Sequence, residues 1–521
     1  MRAQELVART TNNGELPEGW AASSLSEAGL WRSGGTPSRK DPRFFGGDVP
    51  WVKSGDLNDG VIHCTEECLT EAGVEHSSTK VMPAGTVSLA MYGATIGRLG
   101  VLGIPAATNQ ACINCVVDQR VVDGRFLFLH LLSERSALIE AGQGGAQPNI
   151  SGAIVKNWPL PLPPLAEQHR IVAQVEALLA RVNAARERLA KVPAILKRFR
   201  QAVLAAACSG RLTEEWRESQ QHIEAASQLI QHLLSQRREL WEAQRRDVVS
   251  GKRKYVEPLE ADPDALPDLP ASWQVATVDA LSTRVVDGVH RRPIYVPHGV
   301  PFVTVRNLTA GPGISFSELN YISAFDHQQF IKRAHPERGD ILISKDGTLG
   351  VIRAVRTDQE FSIFVSVALV KPVDRTMTDF LELALSAPQV QDLMVATGTG
   401  LQHLHLRDLR RVPTPLPPLA EQHEIVRRVD ALFKLADAIE RRVPTATRRA
   451  EKLTQAILAK AFRGELVPTE AELARREGRD YEPAAVLLER VRAERTAREP
   501  SPRPSPRGRG RKRTGEENGG L

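Results

Sequence analysis

The chain of 521 residues is 42% hydrophobic and 25% charged, the balance of a water-soluble globular protein. Its length exceeds what one hydrophobic core organises, so about two to four domains are expected. No apolar run approaches the roughly 18 residues of a membrane span, and Glu5 and the polar stretch from Thr10 to Glu15 break the segment a signal peptide would need, so a cytoplasmic protein is expected. The net charge of +6 is local: Arg503, Arg507, Arg509, Arg511, Lys512 and Arg513 account for it, and residues 499–521 read as a disordered basic tail.

In chain order, residues 16–158 alternate short apolar runs with Gly, Pro and Asn, the texture of a mixed, strand-rich domain with a strand over Val81 to Met91. Five cysteines are too few, and odd in number, for a disulfide framework. Cys64, Cys68, Cys112 and Cys115 could offer four thiolates to zinc. The preferred reading is without metal, because Cys112 and Cys115 sit in the apolar run Ala111 to Val117, where cysteine behaves as a small hydrophobe. Residues 159–249 read as helical. Ile171, Val175, Leu178, Val182, Ala185 and Leu189 recur in alternating steps of four and three, the period of a coiled-coil seam. Pro163 and Pro164 give that helix a rigid entry, and Glu167 in its first turn suits the helix dipole. Pro193 interrupts or kinks the pattern before a second helical stretch, Ala194 to Cys208, which ends near Gly210. A further amphipathic helix covers Ile223 to Arg246, and residues 250–270 form a charged, proline-rich linker.

The pattern then begins again. Residues 161–212 align without a gap on 415–466 with 23 of 52 positions identical, and PLPPLAEQH occurs verbatim in both. Leu16-Pro17-Glu18-Gly19-Trp20 is answered by Leu269-Pro270-Ala271-Ser272-Trp273. Residues 271–412 read as a second strand-rich domain, with strands over Phe302 to Val305, Ile341 to Ser344, Gly350 to Val355 and Ser362 to Val370. Residues 413–498 repeat the helical region: a seam of Ile425, Val429, Leu432, Ala436, Ile439 and Val443, an interruption at Pro444, a stretch from Thr447 to Phe462, and a last helix over Ala484 to Arg498. Each seam needs an apolar partner, and the other copy is the natural one. The expected fold is therefore α+β: two strand-rich domains held by two long helical regions whose seams pair as a coiled coil, with an internal repeat. The strand-rich halves differ at most positions while the helical halves agree, so one part of the repeat is constrained and the other free to diverge.

Neither a GxxxxGK[ST] phosphate loop nor an Asn-Pro-Pro-Tyr or Asp-Pro-Pro-Tyr motif is present, and the glycine-rich stretches 142–145 and 398–400 complete no dinucleotide fingerprint. Catalytic, cofactor-binding and metal sites are accordingly not expected in this chain. His169 and His423, at one repeated helix position, are read as helix-surface packing or partner-contact residues, and Glu167, Gln168, Glu421 and Gln422 as capping or subunit-docking groups.

Two divergent domains alternating with two similar helical regions, each opened by PLPPLAEQH and carrying Gly210-Arg211-Leu212 at the end of the first, resemble the specificity subunit of type I restriction-modification systems over about residues 16–498. The resemblance implies that each divergent domain is a target-recognition domain reading one half of a split DNA site, with the helical regions as spacers that pack as an antiparallel coiled coil and hold the two readers apart in an internal pseudo-two-fold repeat. It also implies two modification subunits that bring S-adenosylmethionine and methylate adenine N6, and restriction subunits that bring ATP- and Mg2+-dependent translocation and cleavage. The alternatives are a coiled-coil scaffold whose globular domains bind proteins, and a self-contained DNA methylase or nuclease. From Glu167 to Ala190 a helix would extend about 36 Å, close to one turn of DNA at about 34 to 36 Å. Because the halves differ, the site expected is bipartite and asymmetric.

Base edges and phosphates are read by Arg, Lys, Asn, Gln and short polar side chains. In turn-like or polar interruptions of the first half these are Lys53, Ser54, Tyr92, Arg98, Asn109, Gln110, Gln147 and Asn149. In the second half they are Arg306, Asn307, Lys345, Asp346, Thr348, Gln402 and His403.

Overall fold

The computed structural model describes residues 15–142, 149–220, 224–246, 254–266, 268–394 and 403–498. Gln147, Gln402, the 398–400 glycine stretch, most of the 142–145 stretch and the basic tail lie outside the described residues. The chain divides into two compact units, Met1–Arg188 with Ala446–Leu521, and Leu189–Thr445. Each unit therefore draws on both sequence repeats.

The first unit contains strands β1 (Ala21–Ser24), β2 (Gly29–Ser33), β3 (Phe45–Val52), β4 (Gly60–Ile62), β5 (Glu67–Leu69), β6 (Val87–Ala90), β7 (Leu99–Leu102), β8 (Ala107–Thr108), β9 (Cys112–Val117) and β10 (Pro159–Leu162). They form sheets of order β2-β9-β6-β7-β4, β5-β3-β8 and β1-β10. The second unit contains β11 (Gln274–Thr277), β12 (Ser282–Asp287), β13 (Val300–Val303), β14 (Asn320–Ile322), β15 (Ile341–Ser344), β16 (Ile352–Ala354), β17 (Ser362–Ile363), β18 (Val367–Pro372) and β19 (Pro413–Leu416). Their orders are β12-β18-β15-β16, β14-β13-β17 and β11-β19, the same arrangement without a counterpart of β4. The shared topology extends the repeat through segments whose sequences have diverged. Of the expected strands only Ile341 to Ser344 holds throughout: Val81 to Met91 contributes Val87–Ala90, Phe302 to Val305 ends at Val303 before a helix that starts at Val305, Gly350 to Val355 contributes Ile352–Ala354, and the run from Ser362 is broken at 364–366.

The helices that position the site are α1 (Gly124–Ser133), α2 (Leu165–Cys208), α3 (Ala226–Arg246), α4 (Ala324–Phe330), α5 (Thr378–Ser386), α6 (Leu419–Phe462), α7 (Glu470–Glu477) and α8 (Ala484–Arg498). Pro193 and Pro444 lie inside α2 and α6, so each expected pair of helical stretches is one helix of 44 residues. A mid-helix proline removes one hydrogen bond and costs about 3 kcal/mol, which packing along both flanks offsets. Both long helices end at glycines in the left-handed region, Gly210 (φ 77°) and Gly464 (φ 72°). A Cβ there would meet Pro270 Cγ at 2.3 Å and Pro17 Cγ at 2.5 Å respectively, so glycine is required twice over.

In the first unit Ile171, Val175 and Val182 of α2 share a core with Ile457, Leu458, Ala461 and Phe462 of α6. In the second, Ile425 and Val429 of α6 share one with Val203, Ala207 and Cys208 of α2. Within each unit the start of one long helix thus packs against the end of the other, which is antiparallel pairing. The seam is shorter than its sequence period suggests. Leu178, Leu432, Leu189 and Val443 are half-buried, while Ala185 and Ile439 are exposed. Beside Ile439 the pairing is polar: Arg200 donates to Asp437 at 2.8 Å and Glu440 at 2.7 Å.

Cys112 and Cys115 are both buried on β9 but point to opposite faces, one into a small cluster with Val52 and Leu57 and the other into the main core. They cannot converge on one ion with Cys64 and Cys68. Among the described residues no helix is long and apolar enough to cross a membrane.

Candidate nucleic-acid interface

Each strand-rich domain is fastened to a long helix by a buried carboxylate. The two LPxxW segments fold as equivalent turns, with the Trp20 N–H donating to Pro17 O (3.0 Å) and the Trp273 N–H to Pro270 O (2.8 Å). These turns aim the indoles inward. Trp20 Nε1 donates to Glu167 Oε1 at 2.7 Å and Trp273 Nε1 to Glu421 Oε2 at 2.9 Å. The second oxygen of Glu167 accepts the Glu470 N–H (2.8 Å), and that of Glu421 accepts Thr213 Oγ1 (2.7 Å) and Arg217 Nη1 (2.5 Å). Burial pushes the Glu167 carboxyl above its ordinary value despite these donors.

Gln168 donates to Val121 O and Pro163 O and accepts the Asp123 N–H, and Gln422 donates to Pro417 O. Glu167, Gln168, Glu421 and Gln422 are all buried, so their assignment as subunit-docking groups is corrected: they fix the helix start to the domain it carries. A first-turn acid suits the helix dipole whether it faces water or a partner indole, so the sequence pattern could not separate the two. Of the Glu-Gln-His residues in each copy, only His169 and His423 are exposed.

The proposed DNA-reading residues divide in the same way. The β6–β7 and β15–β16 turns each meet the segment that returns to the helices, through Ile150 N–H to Met91 O (2.8 Å) and Leu404 N–H to Lys345 O (2.9 Å). These contacts bring Tyr92 near Asn149 in one domain and Asp346 against His403 in the other, where the His403 ring hydrogen-bonds the Asp346 carboxylate and stands 4.6 Å from that of His405. Arg98, Asn149 and Thr348 are exposed, Ser54 and Tyr92 half-buried. Gln110 is exposed and accepts from Thr36. Lys53 is half-buried and pairs with Glu67 (3.0 Å) and Glu66 (3.3 Å).

Two of these residues, Asn307 and Lys345, serve the fold instead. Asn307 is buried, accepts the Thr304 N–H (2.9 Å) and donates to Ser315 O and Glu318 O. Lys345 is buried with Nζ 3.1 Å from Asp287. Burial works to raise the Asp287 carboxyl, but hydrogen bonds from Arg333, His290 and Lys345 outweigh it and hold it below the ordinary value. Asn109 half-faces the interior, with its amide oxygen accepting from Cys112 Sγ at 3.3 Å. Arg306 is exposed but pairs with Glu318.

Sequence reasoning passed over the loops between the first two main strands of each domain. Arg39, Lys40 and Arg43 occupy one, with Arg39 stacked over Phe45 (4.6 Å) and paired with Glu67 (2.8 Å). His290, Arg291 and Arg292 occupy the other. The signal was there: basic residues interleaved with aromatics in a loop.

Two topologically matched strand-rich domains, each presenting polar turns and a basic loop and each latched to one of two long helices, define a bipartite recognition protein. The family described as "Type I restriction modification DNA specificity domain" matches residues 17–194 and 294–446. The chain is 33% identical over 403 residues to the type I restriction enzyme EcoBI specificity subunit of Escherichia coli, covering 75% of this chain and 76% of that one. It is 26% identical over 504 residues to the EcoKI specificity subunit of Escherichia coli strain K12, covering 93% and 97%. In fold it is similar to the HsdS subunit of Thermoanaerobacter tengcongensis, with a TM-score of 0.54 at 22% identity, covering 88% of this chain and 100% of that chain. It is also similar to a chain from a structure described as the basis of complex assembly and conformational transition of the type I R-M system, with a TM-score of 0.60 at 21% identity, covering 87% and 100%. The chain belongs to the family of type I restriction-modification specificity subunits.

Proposed function

We propose that this chain reads a bipartite, asymmetric DNA sequence and directs partner subunits to it, without a catalytic site of its own. The observation that carries the reading is the contrast within the repeat: the domains keep one topology while their exposed turns differ, Tyr92 and Asn149 standing where Asp346 and His403 do at a constant offset of 254 residues. Different side chains on one scaffold would read different half-sites.

The exposed faces of α2 and α6, including His169 and His423, would engage two modification subunits supplying S-adenosylmethionine and adenine-N6 methylation. Restriction subunits would add ATP- and Mg2+-dependent cleavage, all in the cytoplasm. The basic segment 499–521 would add sequence-independent attraction to phosphate. The test is the methylome of a host expressing this chain with its cognate modification subunit. Methyladenine at a split, asymmetric motif that disappears when the chain is deleted supports the proposal. No motif, with the modification subunit active alongside another specificity subunit, overturns it.

A further inference from the structure

The loop Gly288 to Gly299 of the second unit carries Arg291, Arg292, His290 and His298 and no carboxylate. Inside this basic loop stands Ile294, 79% exposed, and the neighbouring first turn of α4 presents Phe325, 73% exposed. Burial of such side chains is favourable, so leaving two on adjacent segments calls for a reason that a lone surface leucine does not. The loop is anchored on both sides of Ile294. The Val296 N–H donates to Tyr321 O at 2.9 Å. Arg291 reaches Asp326 at 3.4 Å with its guanidinium 5.4 Å from the Phe330 ring centre. Both anchors lie on the segment that carries Phe325, so the two exposed apolar side chains stand on segments tied to one another. Ser323 caps α4 by accepting the Asp326 N–H at 3.0 Å, which fixes the turn that presents Phe325.

The first unit is built differently at the matching place. Thr70 caps the short helix Glu71–Glu75 as Ser323 caps α4, so Ala72 stands where Phe325 does. Its loop aromatics are covered, Phe44 by His76 (ring centres 5.9 Å apart) and Phe45 by Arg39.

We infer that Ile294 and Phe325 form an apolar reading surface in the second domain that contacts thymine methyl groups in the major groove, with Arg291 and Arg292 holding the flanking phosphates. The inference rests on the DNA-reading role proposed above. Its occupant follows from complementarity: an apolar patch beside a loop that carries Arg291 and Arg292 and no carboxylate of its own, with Asp326 of the neighbouring helix turn paired to Arg291, fits a polyanion with an apolar feature, and the thymine 5-methyl is the one such feature a base pair offers in the major groove. The half-site read by the second domain should therefore contain at least one T·A pair read by its methyl group, and the first domain should read its own half-site without this device.

The test uses the full chain assembled with its modification subunits, and duplexes carrying the motif found by methylome analysis. Binding is followed by fluorescence anisotropy as each thymine is replaced singly by uracil, for the wild type and for Ile294→Ala, Phe325→Ala and Phe325→Leu. The expected result is a loss of about fourfold on removing a read methyl, confined to one half-site, absent in Ile294→Ala or Phe325→Ala and restored in Phe325→Leu. Uracil effects in the other half-site should not change in any variant. A second half-site lacking T·A, a uracil penalty that persists in both alanine variants, or variants that bind DNA as the wild type does overturns the inference while leaving the DNA-reading role intact. Variants that read DNA normally but fail to assemble with the modification subunits assign the patch to a protein contact and overturn it as well. A wild-type complex with no preference for any duplex overturns the DNA-reading role and this inference together.

Discussion

Glu421→Ala removes the acceptor at the centre of one latch and leaves three donors behind: the Trp273 indole N–H, the Thr213 hydroxyl and the Arg217 guanidinium. Glu421 has no exposed side-chain surface and Arg217 retains 18%, so water replaces little of what is lost. Breaking a buried ion pair by deleting one partner costs about 3 to 5 kcal/mol, and a stranded buried donor about 1 to 3 kcal/mol. These overlap rather than add, giving roughly 4 kcal/mol for the variant. For a unit of this size each kcal/mol lowers the melting midpoint by about 2 to 4 °C, so a fall of about 8 to 16 °C is expected by circular dichroism. Trp273→Phe deletes one donor and should cost less. The double variant Trp273→Phe/Glu421→Ala should be milder than the sum of the singles, because the indole no longer needs an acceptor. A Glu421→Ala midpoint within about 2 °C of the wild type, or strict additivity in the double variant, would refute the latch as a source of stability.

Asn307→Ala should destabilise the second unit by about 1 kcal/mol through its lost cap and buried amide, read by urea titration, with the methylated motif unchanged; a changed motif would restore Asn307 as a base reader. Hydrogen bonds from Lys371 and then Arg375 hold the Glu337 carboxyl at about 2 against an ordinary 4.5. A lowered folded-state pKa contributes stability that is present above 4.5 and lost as pH falls toward 2, so Glu337→Gln should flatten the stability profile across that window in urea melts. Burial pushes the thiols of Cys112, Cys115 and Cys208 up to about 12, whereas Cys64 is exposed. Thiol-specific labelling of the native protein should modify Cys64 first and reach those three only on unfolding, by peptide mass spectrometry.

What the sequence alone determined about this protein is what repeats along the chain or has a period. The 254-residue offset announced two copies, the seam at Ile171 and Val175 announced packed helices, and Ile341–Ser344 and Ala484–Arg498 took the structures their patterns require. Such signals are local, because hydrophobic period follows from backbone geometry. The direction a polar side chain faces is not local. Glu167 is buried because an indole 147 residues away meets it, Lys345 because Asp287 folds beneath it, and Ile294 is exposed because its loop is pinned to β14 and α4 rather than over the core. The antiparallel pairing was expected, but not how short the buried seam is: each compact unit closes its core on the start of one long helix and the end of the other, while Ala185 and Ile439 stay exposed. A seam position is buried only where other elements of its unit close over it, and that is decided only when the whole chain has folded.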